Sequence, residues 1–295
     1  MTSNRFRDFV GIDWSGAVGE RHRGIAVARA GADDGPPQLV TTGRPWSRAD
    51  VLHFLQTELG DRTLVGLDLG IALPFIDCGA YFPGSDGSPS NARALWQLVE
   101  MICAQDEHFA ATTFADHPDF SPYFRRHGAR EGAQFRCDKA GHGRGRFRVT
   151  ELRQAEMGCK PYSNFNLVGA AQVGKASLTG MRVLHALDGM VPVWPIDPLP
   201  ASGPVIVEIY TALAAIAGGR KASASKIRTV EELDTALLAL ASSPIGAGGP
   251  IDDHSADALL AAAWLRKVGN DEALWSPEQL TDTIARTEGW TFGVV

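Results

Sequence analysis

The chain has 295 residues with a formal net charge of −6, and 44% of its residues are hydrophobic and 21% charged. This ordinary globular composition excludes a chain that is disordered throughout. No apolar run approaches the roughly 18 residues that span a bilayer, and the N-terminus lacks the pattern of a secretory signal. Four widely spaced cysteines without a C-x-x-C pair argue against a disulfide scaffold. We therefore expect a cytoplasmic protein without a membrane partner; its oligomeric state is left open.

The first 75 residues have the pattern of an α/β protein. Three apolar runs, one amphipathic helix and a fourth apolar run follow one another, and Ser47 has the position of a helix N-cap. Strands on short connections followed by a helix and a strand favour an antiparallel meander that leads into a parallel crossover. The predicted strands are Phe9–Ile12, Gly24–Ala30, Gln38–Thr42 and Leu64–Leu67.

Residues 76–174 lose this regular pattern. They are rich in Gly, Pro, Phe, His and Arg, and only Asn91–Cys103 predicts a helix. An irregular stretch of this length inside a compact domain is usually functional or disordered. We interpret it as a large insertion after the fourth strand, between two halves of one core, residues 1–75 and 175–295.

Regular structure returns after the insertion. Thr229, with Glu232 three residues later, has the pattern of a capping box. An Ala-rich helix begins at Asp253 or Ser255 and ends near Arg266. The other predicted elements are helices over Met181–Leu187, Thr229–Leu240 and Ser276–Thr287, and strands over Val191–Trp194 and Val205–Tyr210.

Two apolar strands end in a carboxylate in the same way. Gly11 precedes Asp13, and Gly66 precedes Asp68, by two residues, so each pair shares one face of its strand. A glycine there lets a ligand or another backbone approach closely. Two carboxylates on buried neighbouring strands would repel each other, and a divalent cation would relieve that repulsion. Oxygen ligands favour magnesium or manganese. The alternative for each Asp alone is a strand-end cap.

Further acidic residues come late in the chain. Glu208 lies in an otherwise apolar strand, where it could belong to the site or be the partner of a buried Arg. Asp253, His254 and Asp257 lie at the start of the Ala-rich helix, with His254 and Asp257 on one helix face. The alternative for this group is the ordinary preference for negative charge at a helix N-terminus.

This order of acidic residues resembles the ribonuclease H-like superfamily. The segment from His254 to Leu259 is similar to the last active-site helix of Holliday-junction resolvases of the RuvC type. More closely, the chain resembles an uncharacterised family of predicted ribonuclease H-like nucleases, a domain of unknown function. The matching pieces are Val10–Asp13, Gly66–Asp68 with Leu73-Pro74, Gly180, Trp194-Pro195, Val207–Tyr210, Asp253–Asp257 and Glu288-Gly289-Trp290.

The resemblance implies a five-stranded mixed sheet flanked by helices and two-metal hydrolysis of a phosphodiester. Asp13 would bridge both ions, and Asp68 and Asp257 would each hold one. Asp253, His254 or Glu208 would complete the ligand set. Where the resolvases usually have Glu at the second position, this chain has Asp68, whose side chain is shorter.

The insertion carries the strongest local positive charge. Residues 125–160 contain ten Lys or Arg against four Asp or Glu, interleaved with aromatic residues. Arginines hold phosphates and aromatic rings stack on bases, which favours nucleic acid, DNA or RNA, as the partner. The alternative is a solvated loop with ordinary core aromatics. The predicted substrate-binding residues are Arg144, Arg146, Arg148, Arg153 and Lys175.

Three other hypotheses remain open. A sugar-kinase or actin-like phosphotransferase would use the turns after Asp13 and Asp68 as phosphate loops, although their separation suits one sheet better than two lobes. The segment 169–176 nearly forms a Walker A loop, but Ala176 follows Lys175 where Ser or Thr is needed. The third is a nucleic-acid-binding protein on a catalytically degenerate fold. A zinc site at Cys137, His142 and Cys159 is disfavoured by its irregular spacing.

Overall fold

The computed structural model describes residues 4–137, 144–169, 172–221, 226–246 and 248–295. Within them, a mixed sheet is covered by helices on both faces. The strands are β1 (Asp8–Asp13), β2 (Ala26–Gly31), β3 (Gln38–Leu39), β4 (Thr63–Asp68), β5 (Arg125–Arg126), β6 (Arg130–Glu131), β7 (Val193–Trp194) and β8 (Val205–Glu208). The α-helices are α1 (Arg48–Thr57), α2 (Ala92–Ile102), α3 (Thr112–Asp116), α4 (Val149–Glu156), α5 (Val173–Ala186), α6 (Thr211–Ala217), α7 (Val230–Ala239), α8 (Asp253–Val268) and α9 (Asp282–Thr287).

The main sheet has the order β3-β2-β1-β4-β8-β7. Strand β2 is antiparallel to both of its neighbours, whereas β1, β4, β8 and β7 run parallel. The predicted α/β class and the meander leading into a crossover are confirmed. The sheet has six strands, one for each of the six predicted strand segments, whereas the family resemblance implied five.

Alternation along β1 separates two apolar layers. Val10 and Ile12 pack into the cluster that contains α1, α2 and α5, whereas Phe9 packs into the cluster that contains α6, α7 and α8. Gly11 faces α8, where a Cβ would lie 2.5 Å from the carbonyl oxygen of Ala258. Gly11 therefore allows the backbone of a helix to approach closely. Of the two predicted possibilities, a ligand or another backbone, it is the backbone that lies there.

The predicted helix starts are confirmed where a polar cap is present. The Ser47 hydroxyl accepts from the Asp50 N–H at 3.0 Å, and the Asp50 carboxylate accepts from the Ser47 N–H at 2.9 Å. Thr229 caps α7 by accepting from the Glu232 N–H. The last helix was predicted too long: α9 begins at Asp282, after the N-cap Thr281, and Ser276 lies outside it.

Several elements of residues 76–174 have no clear sequence signal. They include α3, α4, the β5–β6 hairpin and the first residues of α5. The aromatic residues of this segment, expected to stack on bases, are mostly core residues that pack beneath the helices, as the alternative proposed. The buried ones are Phe120, Tyr123, Phe124, Phe135, Phe147 and Phe165, whereas Tyr162 is exposed. The division into a core and an insertion stays a prediction.

No helix in the described part of the chain is both long and apolar enough to cross a membrane.

Candidate active site

Asp13 and Asp68 lie side by side at one edge of the sheet. They end the parallel neighbours β1 and β4 and are in direct register. Both therefore lie in one sheet, as their spacing predicted. Asp13 is buried, and Asp68 is half-buried.

Helix α8 brings a third carboxylate to this edge. It packs across β1 through the close approach at Gly11, and Asp257 in its second turn is buried. Burial, followed by the negative charges of Asp13 and Asp257, raises the pKa of Asp68 to about 8. Burial also raises the pKa of Asp257, with Asp13 acting in the same direction. We call Asp13, Asp68 and Asp257 the carboxylate cluster.

One lysine, one histidine and one hydroxyl contact this cluster. His254 Nδ1 lies 2.6 Å from Asp13 Oδ2, and this hydrogen bond raises the pKa of His254. Lys226 donates to Asp257. The Thr211 hydroxyl donates to Asp68 at 2.9 Å. Among the described residues each carboxylate thus has one side-chain partner, and the three still interact unfavourably with one another.

The carboxylate oxygens suit a hard divalent cation, but in this arrangement they do not surround a metal ion. The described residues contain no group of three or more His, Cys, Asp or Glu side chains placed to hold a metal ion. Asp13 and Asp257 are engaged with His254 and Lys226 instead. Binding of an ion would require these contacts to rearrange.

Asp253, a predicted metal ligand, faces a different partner. Its carboxylate accepts from Arg228 at 3.0 Å. The N-cap of α8 is the preceding residue, Asp252, which accepts from the Ser255 N–H at 2.9 Å. Asp252 therefore has a local role at the helix start, whereas Asp253 is engaged in an ion pair with a residue outside the helix.

Glu208 does not join the cluster, contrary to its prediction as a catalytic residue. It pairs in register with Leu67, so alternation places it on the opposite face of the sheet from Asp68. There it is buried and accepts from both terminal nitrogens of Arg148 and from the Ile71 N–H. The prediction of a structural partner to a buried Arg is the one that the structure supports.

Arg146 and Arg148, predicted to bind substrate, are also buried structural groups. Arg148 makes ion pairs with Glu151 and Glu208, and Arg146 pairs with Asp77 at 2.7 Å. Each guanidinium is almost completely removed from solvent. Their donors are engaged by these carboxylates and by backbone carbonyls, so the structure gives no support to their assignment as substrate ligands, although Arg148 lines the cavity described below.

The other predicted basic residues are accessible but scattered. Arg144 lies over the Tyr162 ring and donates to the Pro161 carbonyl. Arg153 pairs with Glu156 one turn along α4. Lys175 lies in the first turn of α5. The positions 138–143 of the basic segment, with His142 of the disfavoured zinc site, and 170–171 of the Walker-like segment lie outside the described residues.

A cavity of about 270 Å³ opens beside the carboxylate cluster. Asp68, Thr211 and Lys226 line it, together with the aromatic residues Trp14 and Tyr210. Lys226 and Thr211 have no recognisable sequence signal, because their partners lie 31 and 143 residues away in the chain. What identifies these two residues is their proximity to the acidic residues at the strand ends, and this proximity is visible only in the folded structure.

Comparisons with known proteins add no assignment: no protein-family model, curated protein or solved structure matches this chain.

Proposed function

We propose that this protein is a metal-dependent nuclease with a ribonuclease H-like fold, which hydrolyses phosphodiester bonds of nucleic acid at the carboxylate cluster. The observation that carries the proposal is the convergence of Asp13, Asp68 and Asp257 at one sheet edge. Adjacent carboxylates that are removed from solvent and only partly compensated are costly and are commonly functional. The mixed sheet, with β2 antiparallel and an acid ending β1 and β4, agrees with what the resemblance to this superfamily implies.

The roles follow from the partners of each carboxylate. Asp13, Asp68 and Asp257 would hold magnesium or manganese, which supplies an activated water and stabilises the leaving oxygen. His254 orients Asp13, and Thr211 orients Asp68. Lys226 neutralises part of the charge on Asp257 and lies on the wall of the adjacent cavity, where it can meet an anionic substrate.

The test is cleavage of labelled single- and double-stranded DNA and RNA with Mg²⁺ or Mn²⁺, comparing the wild type with Asp13→Asn. Loss of a partner that only orients a metal ligand typically costs 10–100-fold, so we expect loss of a direct ligand to lower cleavage by at least about 100-fold. Calorimetric titration with Mn²⁺ should lose its saturable binding in the same variant, and chelation should abolish cleavage.

Asp61→Asn is the matched control, because Asp61 is an exposed carboxylate before the opposite end of β4. It should cleave and bind Mn²⁺ like the wild type, and circular dichroism should show that both variants are folded. Undiminished cleavage by a folded Asp13→Asn protein would contradict the proposed site.

A second candidate is a nucleic-acid-binding protein without catalysis. The ion pair of Asp257 with Lys226 and the hydrogen bond of Asp13 with His254 favour it, because they engage two of the three carboxylates without a metal. This candidate predicts nucleic-acid binding without cleavage, at an affinity that Asp13→Asn leaves unchanged and Mn²⁺ does not alter.

A further inference from the structure

A second cavity, of about 250 Å³, lies beside the N-terminal part of α5. The loop after β1 contributes Gly16 and Val18, and the β5–β6 hairpin contributes Arg126, His127 and Arg130. The cavity therefore has walls from the sheet core and from the basic segment. It shares no lining residue with the cavity beside the carboxylate cluster.

The rim of this cavity is basic. Arg126 is balanced by Asp116, whose carboxylate lies 3.0 Å away. Arg130 and Lys175 have no acidic partner among the described residues, and they come from different elements, the hairpin and α5. Two uncompensated cations that converge on one concave surface favour an anionic ligand.

The inner wall is apolar. Leu167 and Leu178 line it and are themselves almost fully buried. Ala110, Ala111 and Ala115 extend this surface. A bare inorganic ion would leave it uncovered, whereas a ligand with a carbon skeleton would remove it from water.

The cavity is adjacent to the carboxylate cluster but separated from it by packed residues. Trp14 follows Asp13 directly, and its indole N–H donates to the Thr179 hydroxyl at 3.0 Å. Trp14 lines the first cavity, and Thr179 lines the second. The contact between Trp14 and Thr179 therefore lies between the two cavities, and none of the three carboxylates lines the second one.

We propose that this second cavity binds an organic phosphate monoester, with the phosphate between Arg130 and Lys175 and the carbon skeleton against Leu167 and Leu178. Its volume of about 250 Å³ is at the small end for a ligand pocket, which limits the carbon skeleton to a compact group. The proposal is independent of cleavage at the carboxylate cluster and requires no metal ion.

The test is calorimetric titration of the full chain with phenyl phosphate and with adenosine 5′-monophosphate, compared with inorganic phosphate. At least one ester should bind saturably and more tightly than inorganic phosphate. Lys175→Met and Arg130→Met should each weaken that binding by about tenfold, since each removes a charged hydrogen-bond donor. Arg130 is exposed, so its replacement leaves the fold intact.

Two controls separate this site from the others. Arg153→Met removes a basic residue that is paired within α4, and Asp13→Asn alters the carboxylate cluster; both should bind the ester as the wild type does. Absence of ester binding, equal affinity for inorganic phosphate, or full affinity in both Lys175→Met and Arg130→Met would each overturn the proposal. Loss of cleavage in Asp13→Asn with retained ester binding would leave it standing.

Discussion

Two acidic side chains at the ends of neighbouring strands, Asp68 and Glu208, have opposite surroundings. Glu208 is matched by the guanidinium of Arg148 and by the Ile71 N–H. Asp68 has only Thr211 as a partner within the described residues, and its pKa is raised to about 8 by burial and by two other carboxylates. An acidic residue at the end of a buried strand is thus structural where its charge is compensated. Where compensation is incomplete, it is a candidate for function.

The largest expected effect comes from removing the cation that compensates Glu208. Arg148→Met would leave Glu151 and Glu208 buried without their cation. Breaking a buried ion pair from one side typically costs about 3–5 kcal/mol. We expect that loss in the free energy of unfolding, measured by urea denaturation. Arg153→Met, at a partly exposed pair, should change it by less than about 1 kcal/mol; similar losses in the two variants would remove the distinction.

A smaller effect concerns pH and Glu288, which is buried beside Arg148. Burial raises the pKa of Glu288 to about 7 from 4.5, although it accepts from the Phe75, Ile76 and Val149 N–H groups. Between these values the folded protein holds a proton that the unfolded chain has released. The contribution of Glu288 to stability therefore falls as the pH rises from about 4.5 to 7.

Glu288→Gln should remove this dependence. Relative to the variant, the wild type should lose about 2–3 kcal/mol of unfolding free energy between pH 5 and pH 8. Urea denaturation of both proteins at the two pH values measures the difference. Parallel pH profiles would show that Glu288 titrates normally.

The smallest effect is expected at the carboxylate cluster itself. The side chain of Lys226 is 56% exposed and that of Asp257 is 10% exposed, so water reaches the cationic partner of this ion pair. Lys226→Met should lower the unfolding free energy by no more than about 1 kcal/mol, the usual range for such pairs. A loss as large as that of Arg148→Met would mean that Asp257 depends on its cation as Glu208 does.

The parts of the fold that sequence predicted well are those with local signals. Apolar runs marked β1 and β4, and polar caps marked the starts of α1 and α7. Helix α6 was missed because Tyr210 precedes it without capping it through its side chain. Helix α5 was placed too late because Gln172 does not cap it either.

Only the acidic residues of the candidate site could be predicted from the sequence. Asp13, Asp68 and Asp257 could be chosen from strand ends and helix position. The ion pair between Arg148 and Glu208 joins residues 60 positions apart, and no local pattern announces it. A basic residue in an irregular segment therefore has the same sequence appearance whether it is buried or exposed.

The close contact at Gly11 makes the spacing of the carboxylate cluster sensitive to a single added methyl group. A Cβ there would lie 2.5 Å from the Ala258 carbonyl oxygen and 2.7 Å from the Ala262 nitrogen, both backbone atoms of α8. Backbone atoms cannot change rotamer to make room, as a side chain can. Alanine at position 11 would therefore push α8 away from the sheet. Asp257 and His254 would move with it while every polar residue stayed the same. The distance from Asp257 on α8 to Asp13 and Asp68 on the sheet is thus determined by the absence of a side chain at Gly11.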